Sequence, residues 1–389
     1  MIAVGMTLLA TAACGTASDE DVSASDESEL VSAAEAKTFW DRFAKDDEDV
    51  AKKWASDNGG RAWAGDYLAW KESFRQVALV EMYEATKDPA YLDELAKRIE
   101  VVFSLRDDKK DMKDVVRGKV VPAWGRYPDV GRETRTADWV CEMVQNGLIS
   151  YPIAAFVRLA DRSPALRARF GGERIDRWRD MLTSTVDSFD ADWDDGGDKG
   201  FYRFPKGYAR VYPPHEGRYL PYNRALVMGR TMMMLEESKI SDSKRQQYRE
   251  RVKKIARFFV ENARHVEGRA VWEYATWAPP PDGVEDSSHG GLDVGFIALA
   301  GQRSYTTIGK GDIDGFTATF RRIARDKSKI AQKVSGEYES DFKDSNETCG
   351  RWLDLAALDK GLAKTCSTVI GKGFDEHQAG YAKMLRWRK

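Results

Sequence analysis

Residues 223–237 read NRALVMGRTMMMLEE, and residues 241–263 read SDSKRQQYRERVKKIARFFVENA. The first stretch is apolar on most sides, whereas the second places apolar residues three and four positions apart among many charges. Both patterns predict helices, the first buried nearly all round and the second with one face in water. An apolar helix followed by a charged, amphipathic helix is therefore the unit from which we expect the fold to be built.

This unit recurs along the chain. The apolar helices share short related segments: VALVEMY (77–83), PIAAFVR (152–158), RALVMGR (224–230) and GFIALAG (295–301). The segments begin roughly 70 to 75 residues apart, a period that indicates repeated helical hairpins. Such hairpins bury their apolar faces only against neighbours, so the apolar helices would form an inner ring and the charged helices an outer one. We therefore predict an all-α fold, an incomplete toroid of roughly five to seven α/α hairpins.

Long connections precede three of the apolar helices, at residues 107–135, 194–221 and 265–288. They are rich in glycine, proline and aromatic residues, and two short pieces, GFYRFP and GRAVWEYAT, predict small hairpins. In a ring of this kind the connections would all lie at the same end. Long loops gathered on one face of a protein usually hold its function.

The composition allows one large domain or two ordinary ones. The chain has 389 residues, 42% of them hydrophobic and 32% charged, and a formal net charge of −2. This balance predicts no bulk attraction to nucleic acid or to an anionic membrane surface. We expect a monomer with no nucleic-acid partner.

The first fourteen residues, MIAVGMTLLATAAC, form an apolar segment that is too short to span a bilayer as a helix. The segment resembles a bacterial lipoprotein signal peptide, with Cys14 as the lipidated residue. Residues 15–32 are small and acidic, which indicates a flexible tether, and residues 33–389 form the folded domain. We therefore expect an exported protein that is anchored to the bacterial cell envelope, and that contacts the membrane only through a lipid at Cys14.

Three further cysteines follow, Cys141, Cys349 and Cys366. In an oxidising compartment Cys349 and Cys366 could form a disulfide that closes a short loop. Cys141 would then be a buried thiol within an apolar helical run. The cysteine spacing does not resemble a zinc site.

The most unusual connection, residues 272–293, reads WEYATWAPPPDGVEDSSHGGLD. Its three consecutive prolines fix the path of a surface segment. The segment brings aromatic, acidic and imidazole groups to the start of a helix: Tyr274, Trp277, Glu285, Asp286 and His289. The alternative is that Asp286 or Ser287 only caps this helix and that His289 pairs locally.

Polar groups also stand at the starts of the other apolar helices: Arg135, Asn146, His215, Tyr222, Asn223 and Arg224. The whole set lacks a Ser-His-Asp order, a glycine-rich phosphate loop and clustered metal ligands. We therefore expect no metal and no cofactor.

Four segments at successive helix starts carry a family resemblance: QNGLISYP, LPYNRAL, WEYATW and EDSSHGGLD. Over about residues 63–363 the chain is similar to the α/α-toroid polysaccharide lyases that cleave alginate and glucuronan. The resemblance implies β-elimination on a uronic acid within an acidic polysaccharide. A proton next to a carboxylate is hardly acidic until that charge is neutralised, so such an enzyme needs amide or cationic groups at the carboxylate. It also needs a phenol or an imidazole to transfer protons.

The resemblance also implies roles for individual residues. Asn146 and Asn223 correspond to the neutralising amides, and His289 and Tyr274 to the proton-transfer pair. His215 is a second candidate for the imidazole role. The residues implied in substrate binding are Arg135, Tyr222, Arg224, Trp277, Glu285 and Asp286.

Three other functions remain open from the sequence. A glycoside hydrolase on the same fold would use Glu285 or Asp286 with a second carboxylate such as Asp138 or Asp66. A lipid-anchored protein could bind acidic glycans without cleaving them. A uronate epimerase would share the first half of the lyase reaction. Several candidate residues also have structural alternatives: Asn223 as a helix cap, Asn146 at a kink, and Tyr274 in rim packing.

Overall fold

A computed structural model describes residues 31–56, 64–127, 138–278, 280, 283–303, 305, 307–326, 329–338, 345–367 and 378–388. This part of the chain is mostly helical with a few short strands, which confirms the predicted all-α class. Within it, no helix has the length and apolar character needed to cross a membrane. The predicted signal peptide, nearly all of the tether, and Arg135 lie outside the described residues.

The helices follow the predicted pattern closely. The first eight are α1 (Ala33–Ser56), α2 (Ala64–Tyr67), α3 (Ser73–Thr86), α4 (Ala90–Ser104), α5 (Asp107–Lys110), α6 (Met143–Arg162), α7 (Pro164–Phe170) and α8 (Gly172–Asp187). The later ones are α9 (Tyr222–Glu236), α10 (Asp242–Asn262), α11 (Ser287–Gln302), α12 (Lys310–Ile323), α13 (Ser345–Trp352), α14 (Leu362–Thr365) and α15 (Gln378–Trp387). A π-helical turn, Leu68–Glu72, joins α2 to α3, and a 3₁₀ turn, Leu353–Ala357, follows α13.

The strands form two-stranded antiparallel hairpins. They are β1 (Lys113–Asp114) with β2 (Lys119–Val120), β3 (Trp193–Gly196) with β4 (Lys199–Tyr202), and β5 (Arg264–Val266) with β6 (Arg269–Val271). The second and third contain the segments predicted to form hairpins. The β5–β6 turn is tight because Glu267 and Gly268 both have positive φ, 50° and 77°.

Four apolar helices each pack against a charged helix. The pairs are α3 with α4, α6 with α8, α9 with α10 and α11 with α12, while α1 packs against α15. The predicted hairpin unit is therefore present.

The apolar helices also contact one another in chain order. Helix α3 packs against α6, α6 against α9, α9 against α11, α11 against α13 and α13 against α15, and α15 in turn packs against α3. Glycines allow two of these contacts to be close. A Cβ on Gly147 would lie 2.6 Å from Val227 Cγ2, and one on Gly229 would lie 2.5 Å from Phe296 Cε2. The helix backbones therefore approach too closely at these points for any side chain.

The cysteines are arranged as the sequence indicated. Cys349 and Cys366 form a disulfide, with their Cα atoms 5.9 Å apart. Cys141 is a free, buried thiol whose Sγ lies 3.2 Å from Asp107 Oδ2. It lies just before α6 rather than within a helical run.

Candidate active site

The starts of α6, α9 and α11 bring polar and aromatic residues together with the π-helical turn. Arg224, at the start of α9, forms an ion pair with Glu142, just before α6. His289, in the first turn of α11, has its ring 6.1 Å from that of Trp70 in the π-helical turn and 6.3 Å from that of Tyr274. Turns of this π-helical kind are frequent at functional sites. We treat this cluster as the candidate active site.

Asp286 both caps α11 and holds His289. Its Oδ1 accepts the His289 backbone N–H at 2.9 Å, and its Oδ2 lies 2.6 Å from His289 Nδ1. Burial opposes the charge of Asp286, but the hydrogen bond and charge of His289 outweigh it and lower the pKa of this carboxyl. The structural alternative from the sequence, in which Asp286 caps the helix and His289 pairs locally, is therefore present. The His289 side chain is 40% exposed, which leaves it accessible to a ligand.

Tyr274 lies between a guanidinium and two rings. Its ring centroid is 6.2 Å from that of Trp277, and the Arg224 guanidinium is close enough to act on the charge of its phenol oxygen. Burial raises the pKa of Tyr274, and Arg224 acts in the opposite direction. The phenol is therefore protonated near neutral pH, and a cation stands beside it to stabilise the phenolate.

Glu142 pairs with two arginines, one of which, Arg224, acts on Tyr274. Its Oε1 accepts from Arg224 Nη1 at 2.8 Å and from the Tyr208 hydroxyl, and its Oε2 accepts from Arg126 Nε at 2.6 Å. Burial opposes its charge, but Arg224 and Arg126 prevail and hold the pKa of Glu142 at about 2. Sequence reasoning did not select Glu142. The available signal was its position directly before the apolar run of α6 in WVCEMVQNG.

His215 lies in an aromatic stack. Its ring is 4.4 Å from that of Tyr212, 5.1 Å from Phe204 and 4.7 Å from Trp277. Its Nδ1 is buried and has no hydrogen-bond partner among the described residues. Burial, followed by the charges of Arg224 and Arg218, lowers the pKa of His215, so this imidazole is neutral at neutral pH.

Two of the predicted residues are engaged within the fold. The Asn146 side chain accepts from the Trp124 backbone N–H at 2.9 Å and donates to the backbone oxygens of Trp124 and Glu142. Tyr222 is 2% exposed and packs against Phe201 and Phe259. Both side chains are therefore buried beside the cluster and held by the fold, and neither is open to a ligand.

Asn223 and Glu285 lie beneath the Asp286–His289 pair. Asn223 is 2% exposed, and its Nδ2 lies 3.5 Å from Glu285 Oε2. Glu285 is 1% exposed and also accepts from the Asp286 backbone N–H. Burial, together with the charges of Asp293 and Asp286, raises the pKa of Glu285 well above its usual range.

The sequence predicted no metal site, yet three possible donors converge at the start of α11. One ligand atom each from Glu285, Asp286 and His289 lies within 4.8 Å of the others. A nitrogen and two carboxylate oxygens form a donor set that suits a divalent transition metal.

A separate cavity of about 370 Å³ lies among α3, α6, α9, α11 and α15, towards the opposite ends of these helices. Its charged side chains pair with each other, as in Arg158 with Glu237, Arg230 with Asp354 and Arg386 with Glu81. The residues that line it include neither His215 nor His289. The candidate proton-transfer groups therefore lie away from this cavity.

Comparison with known proteins adds no assignment, since no protein-family model matches the chain and no curated protein matches it significantly.

Proposed function

We propose that the protein is a polysaccharide lyase that cleaves a uronic-acid-containing polysaccharide, alginate-like or glucuronan-like, by β-elimination. One observation carries the proposal: the ring of Tyr274 lies 6.3 Å from that of His289, which Asp286 holds in place, and the charge of Arg224 acts on the Tyr274 phenol. These are the groups that the reaction requires.

Tyr274 is the group to which we assign removal of the proton at C5 of the uronate. Phenolate formation is costly in a buried position, and the adjacent Arg224 offsets part of that cost. His289 is the second group able to exchange a proton, with the leaving oxygen as its partner. General acid–base groups of this kind contribute about 10²- to 10⁴-fold in rate.

The carboxylate of the uronate must be neutralised while the C5 proton leaves. Arg224 acts on Tyr274, but it is already paired with Glu142, so it can supply only part of this neutralisation. Asn223 is buried, and its side-chain contact in this region is with the buried Glu285. Neutralisation by two amides, as the resemblance implies, therefore has less support than the proton-transfer roles.

We also propose that the helices form an α/α toroid. The support is the cyclic order of the contacts, α3 to α6, α9, α11, α13, α15 and back to α3, with a charged helix packed outside most members. The N-terminal segment supports export and lipid attachment at Cys14, and the net charge of −2 supports the absence of a nucleic-acid partner.

The hydrolase alternative has less support. It requires two carboxyl groups on opposite sides of a glycosidic bond. Glu285 is almost completely buried, and Asp286 is engaged by His289. Asp66 and Asp138 are paired with Arg126 and Arg210, respectively.

The test is to incubate the purified protein with alginate, glucuronan and neutral glucans, and to follow two products at once. A lyase creates an unsaturated uronate, which is detected by its ultraviolet absorbance, together with a new reducing end. We expect both signals with a polyuronate and neither with a neutral glucan. Reducing ends without the absorbance would replace the proposal with hydrolysis, and binding without either signal would replace it with glycan capture.

A further inference from the structure

We propose that Glu285, Asp286 and His289 bind one divalent cation, and that this cation neutralises the carboxylate of the bound uronate. The second half of this statement rests on the proposed function. The cation site itself rests on the geometry at the start of α11.

The three donors are supplied by a short, well-anchored segment. One ligand atom from each lies within 4.8 Å of the others. The backbone that carries them is fixed on both sides: Glu285 N–H donates to Trp272 O at 2.9 Å, and Ser287 N–H donates to Gln332 O at 2.6 Å. Metal sites need donors on rigid elements, and this segment provides them.

A further buried carboxylate behind the three donors points independently to a cation. Asp293 is 0% exposed, and Trp272 Nε1 donates to its Oδ2 at 2.9 Å. Its Oδ1 is buried with no hydrogen-bond partner among the described residues. Residues 286 and 293 are seven positions apart along α11 and so share a helix face. The charges of Asp293 and Glu285 are close enough to act on each other directly.

The two most deeply buried carboxylates of the cluster, Glu285 and Asp293, lack a positive partner within the part of the chain that the structure describes. Among the described residues, no lysine or arginine forms an ion pair with Glu285 or Asp293. Buried carboxylates are costly unless they are protonated, paired or bound to a metal. A bound divalent cation would compensate Glu285, Asp286 and Asp293 together.

The proposed reaction requires the charge that such a cation would bring. Asn146 is engaged by backbone groups, Asn223 is buried, and Arg224 is already bound to Glu142. Three protein ligands leave open coordination positions, as in catalytic metal sites. A cation there can bind a substrate oxygen and stabilise negative charge that develops on it.

Cation binding would also divide the roles within the candidate site. His289 would act as a ligand in the loaded protein, which leaves Tyr274 to transfer protons. The proton between His289 Nδ1 and Asp286 Oδ2 would have to leave if these atoms bound the metal. We therefore expect the affinity to fall as the pH is lowered.

The experiment is calorimetric titration of the chelator-treated, full-length protein with Zn²⁺ and, separately, with Mn²⁺. We expect one saturable site for at least one of the two ions. Glu285→Gln and His289→Ala should each weaken binding by more than the roughly 10- to 100-fold that loss of an outer partner costs. Asp293→Asn alters such an outer partner, so we expect it to weaken metal binding by about 10- to 100-fold.

His265→Ala is the matched control. His265 also lies near a carboxylate, 3.8 Å from Asp312, but its side chain is 48% exposed, and no group of three possible metal ligands includes it within the described residues. Binding should be unchanged in this variant. Circular dichroism of every variant checks that its fold is retained.

Two results would overturn the cation site. The first is the absence of saturable binding, which would mean that a proton held between Glu285 and Asp293 compensates their charges instead. The second is binding that survives both Glu285→Gln and His289→Ala. Unsaturated product formed at full rate by the chelated protein would overturn the role in catalysis while leaving the lyase proposal intact. Metal binding by a protein that forms no product from any polyuronate would overturn the lyase proposal while leaving the cation site intact.

Discussion

Two tyrosines show how position, rather than residue type, decides a role in this protein. Tyr222 and Tyr274 lie close together, since the Tyr222 backbone N–H donates to Tyr274 O at 3.2 Å. Tyr222 is buried among phenylalanine rings, whereas Tyr274 touches Arg224 and faces His289. Only the second has polar partners that make a phenol chemically useful.

We expect Tyr274→Phe to lower kcat on a polyuronate by about 10²- to 10⁴-fold, because the proton-transfer group is lost. Tyr222→Phe is the matched control and should leave kcat nearly unchanged. The measurement is the rate of unsaturated-product formation at saturating substrate. Equal losses in both variants would show that the phenylalanine substitutions act through packing, and would remove Tyr274 from the mechanism.

Glu142 makes the stability of the protein depend on pH. Its pKa is about 2 in the folded protein and near 4.5 when unperturbed. A carboxyl whose pKa is lowered on folding stabilises the protein above the unfolded value, and that contribution disappears as the pH falls through the folded value. The shift corresponds to about 3 kcal/mol at neutral pH.

We therefore expect Glu142→Gln to lower the free energy of unfolding by about 3 kcal/mol at neutral pH, since Arg126 and Arg224 lose their partner. The difference from the wild type should shrink as the pH falls from about 4.5 to about 2. Denaturant unfolding across that range provides the measurement. Glu250→Gln, which alters an exposed pair with Lys253, should cost about 0–1 kcal/mol throughout. If the difference in free energy of unfolding between Glu142→Gln and the wild type stayed constant with pH, the lowered pKa of Glu142 would not be its cause.

The residue-scale predictions from sequence succeeded where the contacts are local. Asp286 and His289 are three positions apart, so their pairing follows from helix geometry. The partners of Asn146 and Glu142 are not local: Trp124 is 22 positions from Asn146, and Arg224 is 82 positions from Glu142. An amide that will bind backbone in the core looks the same in a sequence as one that will face a substrate.

At the scale of elements, periodicity predicted the helices and two of the rim hairpins. Apolar residues at helical spacing determine which face is buried, and this signal is contained within each segment. The π-helical turn at Leu68–Glu72 had no comparable signal, because its extra residue depends on the packing of the completed fold. Trp70, which it places beside His289, was therefore not selected.

The close contact between α6 and α9 gives a prediction at this scale. A Cβ on Gly147 would meet Val227 Cγ2 at 2.6 Å and the Met228 backbone nitrogen at 2.7 Å, and a backbone atom cannot move aside cheaply. We expect Gly147→Ala to lower the free energy of unfolding by about 1–3 kcal/mol. Gly311→Ala on α12 is the control, since nothing lies within 4 Å of its added Cβ.

The control should be neutral or stabilising by up to about 1 kcal/mol, because alanine favours helices more than glycine does. Chemical denaturation of both variants gives the comparison. If Gly147→Ala proved as well tolerated as Gly311→Ala, the two helices would have room to separate, and the tight packing of α6 on α9 would not hold.

At the scale of the whole molecule, the first and last described segments of the chain meet. Arg388 Nη2 donates to Glu35 Oε2 at 2.8 Å across 353 positions, and Arg386 Nη1 donates to Glu81 Oε2 at 2.7 Å across 305 positions. The repeats predict the order of the apolar helices but do not identify the partner of the last one. In the proposed toroid, α15 fills that place between α13 and α3.

If α15 closes the proposed ring, its loss should weaken the whole protein rather than one end. Leu385 is 0% exposed on α15, and Leu385→Ala should lower the free energy of unfolding by about 2–5 kcal/mol. Val101, 59% exposed on α4, provides the control. Val101→Ala should change the free energy of unfolding by less than about 0.5 kcal/mol. Unfolding followed by tryptophan fluorescence and by circular dichroism should remain a single coincident transition in Leu385→Ala. An early transition that involves only part of the helical signal would mean that α15 is a separable appendage and that the ring does not depend on it.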